Sequence, residues 1–85
     1  MRVFAKIYQN HKTIATARAS SEQGDPAEAL MECLEQIYKE LDMAEPVWVT
    51  KHAAELSRYG HTKFFPEDFV EPVSFDYFEI EFLKN

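Results

Sequence analysis

The chain has 85 residues, 46% hydrophobic and 14% aromatic, with a net charge of −6. That length holds one small domain, residues 1–85, and the apolar content exceeds what a disordered segment carries. No apolar run approaches the ~20 residues of a membrane span, the N-terminal stretch alternates instead of forming a signal-peptide block, and the lone Cys33 cannot close an intrachain disulfide, so a cytoplasmic protein is expected.

Arg2 to Tyr8 alternates Val3, Ala5 and Ile7 against Phe4, Lys6 and Tyr8, and a second alternating run spans Lys12 to Ala19. Two period-2 runs separated by Gln9, Asn10 and His11 predict a β-hairpin. Thr13, Ala15, Ala17 and Ala19 share one face of the second run, and a face of small residues suits close packing under a helix.

Asp25 as cap, Pro26 at the first helical position and Glu28 three residues after the cap predict a helix start. The helix runs to about Asp42, with Ala27, Leu30, Met31, Leu34, Ile37, Tyr38 and Leu41 on an apolar arc and Glu28, Glu32, Glu35 and Lys39 opposite. Pro46 marks a boundary, and a second helix extends from Pro46 or Thr50 to Tyr59, closed by Gly60. Val49, Ala53 and Leu56 form its expected core stripe. A loop anchored by Phe64, Phe65 and Phe69 follows, with Pro66 to Asp68 as one helical turn. Phe75 to Lys84 is the strongest strand signal, with Phe78, Ile80 and Phe82 facing one way.

The expected fold is therefore α+β, in the order ββααβ: a three-stranded sheet, made of the hairpin and the C-terminal strand, with two helices packed on one face. Val3, Ile7, Leu30, Leu34, Ile37, Leu41, Leu56, Phe78, Ile80 and Phe82 form its core. The last strand can pair with either hairpin strand. Residues 1–24 carry four basic side chains against one acidic, and residues 66–85 one against six. Pairing the last strand with the hairpin would set Lys6 and Arg18 across from Glu79 and Glu81.

The segment Trp48 to Phe64 concentrates the chain's one tryptophan, two histidines and three basic residues. On a continuous helix Trp48, His52, Glu55 and Tyr59 line one edge, with Lys51 and Arg58 outside them. The candidate interaction surface is thus Trp48, Lys51, His52, Glu55, Arg58 and Tyr59, an aromatic anchor with a polar rim. The simpler account makes the same residues a core margin with a wet outer face. A second reading brings His52, Glu55 and His61 together as metal ligands or as an acid–base pair, although His-x-x-Glu lacks the spacing of a strong zinc motif. A third uses Lys51, His52, Arg58, His61 and Lys63, in the basic 51–63 segment, for phosphate or nucleic acid. The net charge of −6 opposes it.

No phosphate loop, nucleophile elbow or cofactor fingerprint occurs, and no cofactor is expected. The leading expectation is a non-enzymatic module that binds another protein or a second copy of itself.

Overall fold

β1 (Arg2–Gln9) and β2 (Lys12–Ser20) form the expected antiparallel hairpin. Asn10 and His11 turn the chain with φ of 53° and 65°, both left-handed, as a two-residue turn matched to strand twist requires. The computed structural model describes residues 1–84. The Asn10 backbone N–H donates to Asp76 Oδ2 at 3.1 Å, and the Asp76 N–H donates to the Tyr8 carbonyl at 2.8 Å. The turn is thereby tied to the segment that enters the last strand.

Register in the hairpin slips between Ile7 and Tyr8: Ala15 lies opposite Ile7, Thr13 opposite Tyr8, and Ile14 opposite no residue of β1. This bulge turns Thr13 to the outer face, away from Ala15, Ala17 and Ala19, because an extra residue shifts the alternation by one.

α1 (Pro26–Leu41) starts as expected, with Asp25 Oδ2 accepting from the Glu28 N–H at 3.0 Å. It buries Ala29, Cys33, Leu34 and Ile37 and packs mainly over β2. It ends at Asp42, a left-handed residue at φ 50°. α2 (Thr50–Tyr59) closes at Gly60, φ 79°. The chain then enters β3 (His61–Phe64), makes a single 3-10 turn over Pro66–Asp68, and returns through β4 (Tyr77–Leu83).

Among the described residues the sheet has four strands, not three, in the order β2-β1-β4-β3, and the elements run ββααββ. The missed strand, His61–Phe64, offers only Thr62 and Phe64 inward, too short an alternation to separate it from a loop. Its identity comes from its partner. β4 supplies a ready edge, with Thr62 opposite Ile80 and Phe64 opposite Phe78.

On its other side β4 pairs with β1, placing Phe82, Ile80 and Phe78 opposite Val3, Ala5 and Ile7. These residues, with Ala17, Ala19, Thr62 and Phe64, form the inner face of the sheet, against which both helices lie. Of the expected core, Val3, Ile7, Leu34, Ile37, Leu56, Phe78 and Ile80 are buried, and Leu30, Leu41 and Phe82 are partly so.

The outer face is paired largely within itself. Lys6 Nζ reaches Glu79 Oε1 at 3.4 Å, as the charge distribution predicts. Arg18 is opposite Phe4 instead of a carboxylate, its guanidinium 5.5 Å from the ring centroid, because β2 is separated from β4 by β1. Among the described residues, no helix is long and apolar enough to cross a membrane.

Candidate functional site

Trp48 lies outside α2, two residues before its first turn, so the continuous-helix edge from Trp48 to Tyr59 does not exist. The helix is also turned relative to the expected stripe. Val49 is 51% exposed and Ala53 is exposed, while His52 and Leu56 face the sheet.

His52 can sit there because both ring nitrogens have neighbours of the right polarity. The Val49 backbone N–H donates to Nδ1 at 3.1 Å, which places the ring proton on Nε2, 3.5 Å from Asp68 Oδ2. The same carboxylate oxygen accepts from the Phe65 N–H at 2.8 Å. The imidazole stacks on Phe64 with centroids 4.1 Å apart, and Trp48 stands edge-on to Phe64 at 4.9 Å. At 1% exposure His52 is part of the core and fastens the start of α2 to the turn after β3.

α1 and α2 stand apart over the inner face, and the space between them is an apolar groove of about 360 Å³. Ala27 and Leu30 form one wall, Ala53 and Leu56 the other, with Trp48 and Phe82 also lining it. Among the described residues around it, only Ser57 carries a side-chain hydroxyl. The groove lies over the end of the β3–β4 pairing: His61 lies opposite Glu81, and beyond it the Phe82 N–H donates to the carbonyl of Gly60 at 2.8 Å, so no side chain covers Phe82 from that side. Of the residues lining this groove only Trp48 is among the six candidates, and Ala27 and Leu30 on the apolar arc of α1 are the sequence signal for the rest.

On the opposite side of α2 a cleft of about 390 Å³ is lined by Lys51, Glu55, Tyr59, His61, Lys63 and Phe65. The six candidate residues are therefore divided. Trp48 faces one groove, Lys51, Glu55 and Tyr59 line the other, Arg58 lies beside these three on the outer surface, and His52 is buried between.

His52, Glu55 and His61 take separate partners. Glu55 Oε1 accepts from the Thr62 hydroxyl, and His61 Nδ1 lies 3.8 Å from Glu79 Oε2. Among the described residues no three His, Cys, Asp or Glu side chains are grouped to hold a metal ion.

The basic 51–63 segment brings Lys51, His61 and Lys63 to the second cleft, with Glu55 among them. Of the adjoining aromatic rings, Tyr59 and Phe65 are exposed and Tyr77 is partly buried. Tyr77 stacks on Tyr8 at 4.8 Å and Lys63 lies 4.5 Å from the Tyr77 centroid, so little of that ring is left on which a base can stack.

Comparison with known proteins gives no family: no family model, curated protein or solved structure matches this chain.

Proposed function

We propose that this chain is a non-catalytic protein-interaction module whose docking site is the groove between α1 and α2. The observation that carries the reading is the groove's composition: apolar walls, one hydroxyl, and the chain's single tryptophan only partly covered beside it. Solvent-facing apolar concavities of this kind are sites for apolar side chains, and tryptophan is enriched where binding energy concentrates. The partner supplies an apolar protein segment. A cytoplasmic setting accords with it, supported by a single, buried, unbridged Cys33 whose thiol burial pushes above its ordinary range.

Ala53 gives a clean test, since it lines the groove from an exposed helical position and contributes nothing buried. Ala53→Glu leaves the helical signal and melting temperature within experimental error, while placing a carboxylate in the groove. Affinity capture from the native host is expected to retain a protein on the wild-type chain that Ala53→Glu releases, with the free partner shifting Trp48 fluorescence. Equal retention by both chains would remove the groove as the site.

A further inference from the structure

Building on the groove reading, we infer that the segment filling the groove belongs to a second copy of this chain, in a face-to-face dimer that lays α1 of each protomer on α2 of the other. The two helices have complementary charge. α1 carries Glu28, Glu32, Glu35 and Glu40 against Lys39, whereas α2 carries Lys51 and Arg58, its one carboxylate, Glu55, being held by the Thr62 hydroxyl. Both lie on the same face of one sheet. A twofold axis running along the groove therefore brings each acidic helix over a basic one, twice, in a contact that closes at two copies.

The apolar chemistry agrees with that placement. Met31 is 62% exposed, one turn beyond the groove-lining Ala27 on the same face of α1. A helix surrounded by acidic residues gains nothing within its own fold by presenting a methionine to water. In the dimer Met31 enters the partner's groove, and an unbranched thioether suits a shallow, irregular cavity. The receiving helix presents small exposed residues, Ala53, Ala54 and Ser57, which let the two helices approach closely. Glu35, one turn beyond Met31, and Arg58, one turn beyond Ala54, are the charges placed to meet across the axis.

Sedimentation equilibrium of the full chain over a wide concentration range tests this. The wild type is expected to dimerise, and Met31→Glu and Ala53→Glu each weaken the dimer at least tenfold, with melting temperature unchanged at concentrations where both chains are monomeric. Glu35→Lys and Arg58→Glu are each expected to be monomeric where the wild type is dimeric, and an equimolar mixture of the two to recover the dimer, because every cross-pair in the mixed species again has opposite signs. A strict monomer, a dimer insensitive to Met31→Glu, or failure of the mixture to recover overturns the inference. If the wild type is monomeric yet Ala53→Glu still releases a captured host protein, only the second copy is excluded and the module reading stands. If neither association nor capture responds to Ala53→Glu, the groove itself is excluded.

Discussion

A buried imidazole has to keep both nitrogens partnered, and His52 does so through the Val49 N–H and Asp68. His52→Ala strands the Val49 amide, leaves Asp68 with the Phe65 N–H alone and opens a cavity beside Phe64, so urea unfolding is expected to show a loss of about 2–4 kcal/mol. His52→Gln costs less, since its amide oxygen can reach back to the Val49 N–H. Tyr38 presents the opposite situation. Its hydroxyl is buried with no hydrogen-bond partner among the described residues, and burial pushes the phenol up to about 12, opposed by the Trp48 indole, which closes no bond of ordinary geometry to it. The unfolded chain releases this proton near its ordinary value of 10.0, before the folded chain does, so stability is complete below pH 10 and falls as pH rises toward 12. Thermal melts at pH 8 and pH 11 check the sign: Tyr38→Phe is expected to melt no lower than wild type at pH 8 and to lose less on going to pH 11.

Among the elements, α2 shows how local signals and tertiary demands divide the work. Its end was legible because Gly60 adopts φ 79° without a side-chain penalty. Open space surrounds the position a Cβ would take, so Gly60→Ala is destabilising through the backbone alone, by about 1–2 kcal/mol in chemical denaturation. The helix's rotation was not legible. Val49, Ala53 and Leu56 have the apolar spacing, but the sheet takes Leu56 with His52, a choice decided by Asp68 on a different segment. β3 was missed for a related reason, since four residues with a lysine and a histidine become a strand only beside β4. The hairpin, the Asp25 cap and the strand around Ile80 carry their signals within their own residues, and all three were legible. Helical spacing joins Trp48 to Tyr59, but the chain enters α2 only at Thr50, and the candidate residues fall on two sides of it.

For the whole molecule, fold class and helix placement followed from periodicity and caps, while the groove did not, because it depends on where one short strand stops and how far apart two helices stand. The position of β4 between β1 and β3 also governs how the chain reaches this structure. Tyr8 must find Tyr77 and Arg2 must find Leu83, contacts that span nearly the whole chain, whereas β3 and β4 can pair over the short distance between Phe64 and Phe78. The hairpin and α1 close over short distances in sequence, but the encounter of β1 with β4 carries the entropy of a long loop and sets the pace of folding. Stopped-flow refolding is expected to be slow for a domain of this size, and both Ile80→Val and Ala17→Gly, the latter in the early-formed hairpin, to act mainly on the refolding rate. A chevron in which Ile80→Val moves only the unfolding limb would place the barrier elsewhere. An early-formed hairpin and helix waiting on a distant strand leave Val3, Ala5 and Ile7 uncovered for that interval, and it is then, more than in the finished fold, that this protein is open to aggregation.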